Sequence, residues 1–273
     1  MSILQVSNLR IWDGITGEVL VPNSSFELKR ESCLAIVGES GSGKSLTCRA
    51  IMKLNKKTIR QSGDILLNGV GLSQLAEDEM RRRRGKQLYM ILQNGMRAFD
   101  PTSAIGVHIR DTLVRHYGWN RSEIVEKMKL AMQSVRLQDP VEIMNKYPHQ
   151  LSGGMLQRVM ISLAIVLEPD IIIADEPTSA LDTVSKYEVM EQFVKLREKM
   201  GCAMIFVSHD LGAVRQLADE VLVMRNGSIV ERGTASVLFS EAKHEYTRFL
   251  VSSHTELNEH FKRVIGGPAY VSR

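Results

Sequence analysis

Four short, continuously apolar runs, each halting at a glycine or at a side chain capable of chemistry, constrain this chain more than any other feature. They are Cys33 to Val37 before Gly38, Leu88 to Leu92 before Gln93, Ile171 to Ala174 before Asp175, and Ala203 to Val207 before Ser208 and His209. Short runs rich in β-branched residues, without polar alternation, are the pattern of strands buried on both faces. Helical periodicity alternates with them: Ile124, Met128, Ala131, Met132 and Val135 fall on one helix face. The combination predicts a parallel α/β sheet. Ligands of such sheets sit outside the carboxyl ends of the strands, so the four run ends are expected to meet at one crevice. Two Asn-Gly pairs, Asn68-Gly69 and Asn226-Gly227, carry type I′ turn chemistry between apolar segments and predict hairpins added antiparallel to the main sheet. Between Gln93 and Ser152 strand signals give way to helical ones. The expected division is an α/β core from 1–92 and 168–250, an inserted helical subdomain at 93–167, and a polar tail at 251–273.

The first run leads into Gly38-Glu39-Ser40-Gly41-Ser42-Gly43-Lys44-Ser45 and then into the helical segment Leu46 to Met52. This spacing in this context is a phosphate cradle. Gly38, Ser40, Gly41, Ser42 and Gly43 let the backbone wrap so that successive N–H groups point at phosphate oxygens. Lys44 adds a cation for the β- and γ-phosphates, and Ser45 offers a hydroxyl to Mg²⁺. The third run ends in Asp175 and Glu176. At that position one carboxylate serves the metal through its water shell and the other polarises the attacking water. These residues predict a nucleoside triphosphatase. Leu151-Ser152-Gly153-Gly154-Met155-Leu156-Gln157-Arg158 opens an amphipathic helix with a second anion-binding N-terminus that has no lysine of its own.

That LSGGMLQR run resembles the signature of the ATP-binding-cassette (ABC) ATPases, and the resemblance extends over residues 1 to about 250. It implies a P-loop NTPase (RecA-like) core with a parallel sheet, antiparallel β additions and an inserted helical subdomain. It also implies that Ser152, Gly153, Gly154 and Gln157 serve the γ-phosphate held by another subunit's phosphate loop. Gln93 then resembles the glutamine that contacts Mg²⁺ and water and links the site to the helical subdomain. His209 resembles the switch histidine, and Ser179-Ala180-Leu181-Asp182 the loop that carries Asp182 to the nucleotide. Trp12 is either the aromatic that stacks on adenine, a place usually held by Tyr, or a packing residue. Gln93-Asn94-Gly95 departs from the usual pattern, which has Pro third, and a freer loop is expected.

Within the family, GESGSGKS, the stretch Met90 to Pro101 and HDLGAV are most similar to the oligopeptide, dipeptide and nickel importer class. GSGKSLTC, SGGMLQRVMIS, IIADEPT and LFSEAKHEYTRFLVSSH look like the shorter nickel-type subunit, including importers of nickel or cobalt bound to small metallophores, and the long cysteine-bearing extension of many peptide-type subunits is missing. The resemblance implies ATP and Mg²⁺ as ligands, a second non-identical ATPase subunit, two membrane permeases and an extracellular substrate-binding protein. It places the chain peripherally on the cytoplasmic face of the cell membrane. Peptide import is the alternative.

Composition agrees with this class and argues against others. With 44% hydrophobic and 24% charged residues, a disordered or collagen-like chain is excluded, and a net charge of +4 gives no support to a nucleic-acid partner. The basic run Arg81 to Lys86 lacks interleaved aromatics and is read as a solvated helix end. His244, His254 and His260 lack the spacing of metal ligands. Cys33, Cys48 and Cys202 form no CxxC pair and suit a reducing compartment. Val159 to Leu167 is far short of the roughly 20 apolar residues a membrane span needs, and MSILQVSNLR has no leader pattern.

Overall fold

The structure, a computed structural model, describes residues 1–253. It opens with two long strands that the apolar runs did not reveal, β1 (Ser2–Asp13) and β2 (Val19–Lys29). Their inward residues Leu4, Val6, Leu9, Ile11, Val21, Phe26 and Leu28 are buried while most of their neighbours, Ile3 excepted, are more exposed, the alternation of a one-sided sheet. β3 (Cys33–Val37) follows, then α1 (Lys44–Ile51), β4 (Ile59–Leu67) and the short β5 (Val70–Gly71). β1, β2, β4 and β5 form a separate antiparallel sheet in the order β2-β1-β4-β5. The Asn68-Gly69 turn is therefore a hairpin as expected, with both φ angles positive, but it belongs to this second sheet and not to the main one.

The main sheet is completed by β6 (Leu88–Ile91), β7 (Ile171–Asp175), β8 (Ala203–Val207), β9 (Glu220–Arg225) and β10 (Ser228–Thr234), in the order β10-β9-β3-β8-β7-β6. β9, β3, β8, β7 and β6 run parallel, and β10 returns antiparallel through Asn226-Gly227. Its strands are apolar throughout because successive residues serve two cores. Cys33, Ala35, Ile172, Ala174, Met204 and Phe206 face one layer, and Leu34, Ile36, Ile171, Ile173, Ile205 and Val207 face the other. The second layer is α1 and the antiparallel sheet.

The first layer is helical. After α2 (Glu77–Arg83), residues 93–167 contain helices and no strand: α3 (Ile105–Tyr117), α4 (Arg121–Ser134), α5 (Pro140–Asn145) and α6 (Gly153–Leu167), with two short 3₁₀ turns. α4 begins at a reciprocal cap in which Asn120 accepts from the Glu123 N–H and Glu123 accepts from the Asn120 N–H. Its predicted stripe is buried. One continuous apolar cluster joins that stripe, α6 and the lower face of the sheet. α7 (Thr183–Met200), α8 (Leu211–Leu217) and α9 (Ala235–Ser240) close the layer.

Two expectations are corrected. Residues 245–253 are helical, so the chain does not become a tail at Val251, and residues 254–273, with His254 and His260, lie outside the described residues. The Arg81 to Lys86 run is solvated only in part: Arg84 donates to the Met52 carbonyl at 2.8 Å and pairs with Glu77, so it ties α2 to the end of α1.

Gly227 has φ 78°, and a Cβ there would collide with the Leu20 carbonyl oxygen. Gly227→Ala should therefore cost about 2–4 kcal/mol, combining left-handed strain with overpacking. Urea unfolding of the two proteins measures it.

Candidate functional site

The segment between β3 and α1 is shaped by close backbone approach. Gly38 has φ 150°, and a Cβ at that position would strike the Met224 carbonyl of β9. The Ser42 carbonyl accepts from the Gly227 N–H at 3.1 Å, so the β9–β10 hairpin braces the loop. Ser42 is 4% exposed, and its buried hydroxyl has no hydrogen-bond partner within the described residues. Lys44 is also 4% exposed, and its ammonium donates to the Gly38 and Glu39 carbonyls, both at 2.8 Å. Burial lowers its pKa, against the raising influence of Glu176 and Asp175. A desolvated cation beside an orphan hydroxyl is a receptor for an anion.

At the end of β7, Asp175 is 1% exposed. It accepts from the Ser45 hydroxyl at 2.6 Å and stands 3.6 Å from the Arg49 guanidinium. Burial holds its carboxyl above the usual aspartate range, against the lowering effect of Ser45 and Arg49. Glu176, next in sequence, sits in the left-handed region at φ 47°, which costs a non-glycine residue about 1–2 kcal/mol. Its N–H bonds the Val207 carbonyl at 3.0 Å, which fixes the turn against β8.

That turn puts the Glu176 carboxylate among groups from three other strand ends. Gln93, beyond β6, donates its amide at 3.3 Å; His209, beyond β8, places Nδ1 at 3.5 Å; Lys44, beyond β3, lies at 3.8 Å. The four run ends thus meet as expected. Gln157 does not join them. It is 1% exposed, and its Nε2 donates to the Leu92 and Gln93 carbonyls at 2.8 and 3.2 Å, so it grips the Gln93 loop from α6. Gly95, expected to leave that loop free, is instead buried, and a Cβ on it would press on Leu156 of α6. Close approach of the loop to α6 accounts for glycine at this position.

Ser152 caps α6, accepting from the Met155 N–H at 3.2 Å, and with Gly153 is exposed. Gly154 packs on Ser185, and Gly153 faces Leu181. Asp182 caps α7 through the N–H groups of Val184 and Ser185 at 3.1 and 3.0 Å. Hydrogen bonds from Ser185 hold its carboxyl below the usual range. These residues form one patch, and among the described residues no hydrogen bond or ion pair joins 152–154 to 38–45. Trp12 is half-buried on the antiparallel sheet with the Arg10 guanidinium 5.6 Å from its ring centroid. Arg49 was not anticipated from the sequence. Its place one helical turn after Ser45 on α1 is the signal that would have found it.

The direction of the Asp175 shift carries a stability consequence. With the folded pKa raised above the unfolded one, the native state binds more protons between the two values, so stability falls as pH rises through that window. Asp175→Asn removes the buried charge and keeps an acceptor for Ser45. It should raise the urea midpoint of the nucleotide-free protein at pH 7, and the advantage should vanish at pH 3.

Residues 21–179 match the family model described as ABC transporter. The chain is 42% identical over 270 residues to the metal-staphylopine import system ATP-binding protein CntD of Staphylococcus aureus, covering 99% of this chain and 100% of that one. It is 38% identical to the dipeptide transport ATP-binding protein DppD of Lactococcus lactis subsp. cremoris, covering 97% and 77%. The fold matches the dimeric structure of a post-hydrolysis state of the ATP-binding cassette MJ0796 bound to ADP and Pi, with a TM-score of 0.75, 25% identity, and coverage of 85% of this chain and 98% of that one. A buried cation in a glycine cradle, two carboxylates at a strand end, the family match and the full-length similarity to an import-system ATP-binding protein lead to one conclusion: the chain belongs to the ABC transporter family, as an ATP-binding, ATP-hydrolysing subunit.

Proposed function

We propose that this chain is the hydrolysis-competent half of a heterodimer of ATPase subunits that drives nickel or cobalt, free or bound to a small metallophore, into the cell. Two membrane permeases and an extracellular substrate-binding protein complete the assembly, with the chain held peripherally on the cytoplasmic face. The observation that carries the catalytic part is the convergence of Gln93, His209 and Lys44 on the Glu176 carboxylate. Among the described residues no helix is long and apolar enough to cross a membrane, so the permeases are separate chains on this reading.

The geometry supports the following division of roles. The loop from Gly38 to Gly43 receives the phosphates, with Lys44 neutralising the terminal ones and the Ser42 hydroxyl gaining a partner. The hydroxyl of Ser45, the carboxylate of Asp175 and the amide oxygen of Gln93 are hard oxygen donors, the set that suits Mg²⁺. The buried carboxylate beside the Ser45 hydroxyl fits such an ion. When bound, such an ion would neutralise charge on the phosphates. Glu176 accepts hydrogen bonding from the attacking water and draws its proton, while Gln93 and His209 hold carboxylate and water in line. Ser152 and Gly153, both exposed, and Gly154, buried against Ser185, serve the ATP of the partner, with Asp182 and the α7 cap bracing them. Trp12 stacks on adenine once Arg10 yields its face.

The substrate reading rests on the full-length similarity to a metal-staphylopine import subunit. The similarity to a dipeptide transport subunit makes peptide import the second reading.

Glu176→Gln should lower turnover of the assembled transporter at least tenfold, about 1.4 kcal/mol of barrier, with ATP binding retained. Unchanged steady-state hydrolysis would remove Glu176 from its role. Lys44→Ala should weaken binding of fluorescent ATP to this chain, whereas Ser152→Arg should leave binding intact and block dimer closure. Equal loss of binding in both variants contradicts the composite site. Deleting the chain should abolish radiolabelled nickel or cobalt uptake while sensitivity to toxic peptides persists, and the opposite pattern establishes the peptide reading.

A further inference from the structure

The C-terminal segment LFSEAKHEYTRFL takes no part in the site just described, yet it reaches the phosphate loop. Tyr246, in the helical segment 245–253, is 4% exposed, and its hydroxyl oxygen accepts a hydrogen bond from the Glu39 N–H at 2.9 Å. The carbonyl of that same peptide group, Gly38 C=O, accepts from the Lys44 ammonium at 2.8 Å. One peptide plane is therefore held at both ends, by the tyrosine on one side and by the phosphate-binding lysine on the other.

The tyrosine is itself fixed by the end of the main sheet. The Glu231 carboxylate on β10 accepts from the N–H groups of Lys243 and His244 at 2.7 and 3.1 Å, and His244 Nδ1 accepts from the Tyr246 N–H at 3.1 Å. The Arg225 guanidinium, at the end of β9, covers the Tyr246 ring with 4.8 Å to the centroid. Burial raises the pKa of the phenol, so the group is neutral at pH 7 and keeps its proton. These contacts leave the hydroxyl little freedom, and the Glu39 N–H has a fixed acceptor.

We infer that Tyr246 is a positioning residue for ATP binding: by holding the Glu39 N–H it sets the Gly38–Glu39 peptide so that the Gly38 carbonyl, one of the two acceptors of the Lys44 ammonium, aims that ammonium into the cradle. A peptide free to rotate swings the Gly38 carbonyl away and releases Lys44 from one of its two acceptors. Order in the C-terminal helix is then coupled to the affinity of the phosphate loop. The inference rests on the proposed role of Lys44, and its test separates the two.

The full chain is titrated with a fluorescent ATP analogue as wild type, Tyr246→Phe, Lys44→Ala and the double variant. Phenylalanine keeps the ring under Arg225 and removes only the acceptor. Tyr246→Phe should weaken binding roughly three- to tenfold, the range of one net hydrogen bond, with an unchanged melting temperature. In the Lys44→Ala background the same substitution should change binding less than twofold, because there is no ammonium left to aim. A purely structural tyrosine would give equal losses in both backgrounds, and that result overturns the inference. Wild-type affinity in Tyr246→Phe overturns it too, while leaving the Lys44 role intact if Lys44→Ala binds weakly. Wild-type affinity in Lys44→Ala would instead remove the reading on which the inference stands. Hydrogen exchange on the nucleotide-free wild type needs no variant. The Glu39 amide should exchange slowly, and exchange as fast as that of an unprotected loop amide rejects the hydrogen bond and the inference with it.

Discussion

Burial of charge at the carboxyl edge of the main sheet is the constraint around which the rest of the molecule is arranged. Lys44 is 4% exposed and Asp175 is 1% exposed. Isolated charges in such places are costly, and each is kept by specific partners: two loop carbonyls for the ammonium, the Ser45 hydroxyl and Arg49 for the carboxylate. Burial nevertheless lowers the pKa of one and raises that of the other, so neither is fully compensated. Both imbalances have the sign that a bound phosphate and a bound cation would relieve. Ligand binding at this edge therefore stabilises the folded chain as a matter of linkage.

The edge is straight because the parallel strands are in register. Ile91 pairs with Ala174, Asp175 with Val207, and Ile36 with Val207. The strands stop at one level across the sheet, and the residues that follow each stop enter the same space. A shift of one residue in any strand would turn its apolar residues toward the wrong core as well as misplacing its terminal side chain. Packing on two faces and convergence of the site are thus enforced by the same register. Gly38 shows the other half of this economy: the loop can pass beneath β9 only without a side chain.

What could be read from the sequence was what repeats a local pattern. Continuous apolar runs located β3, β6, β7 and β8, the stripe from Ile124 located α4, and Asn-Gly located two turns, because each of those signals is carried by residues close together in the chain. β1 and β2 escaped because their burial is one-sided and broken by register shifts, so their alternation is irregular. The separate antiparallel sheet escaped with them, which is why the Asn68-Gly69 hairpin was assigned to the wrong sheet. In the site, Lys44, Asp175, Glu176, Gln93 and His209 were legible from motif and order, whereas the true contacts of Gln157 were not. An amide that holds two carbonyls from a distant loop has no local signature, and the same holds for the reach of Tyr246 to Glu39.

Gln157 also shows how the two patches of the site are connected within this chain. α6 begins at the exposed Ser152 and, little more than one turn later, carries the buried amide that holds the Leu92 and Gln93 carbonyls. Gly95 packs against Leu156 of the same helix with no room for a side chain between them. A rigid helix gripping the Gln93 loop at two successive residues cannot shift at its N-terminus without moving that loop. Gln93 in turn donates to Glu176. On the proposed reading, Ser152 meets the partner's nucleotide while Gln93 attends this chain's own, so α6 is the element through which the state of one composite site bears on the carboxylate of the other.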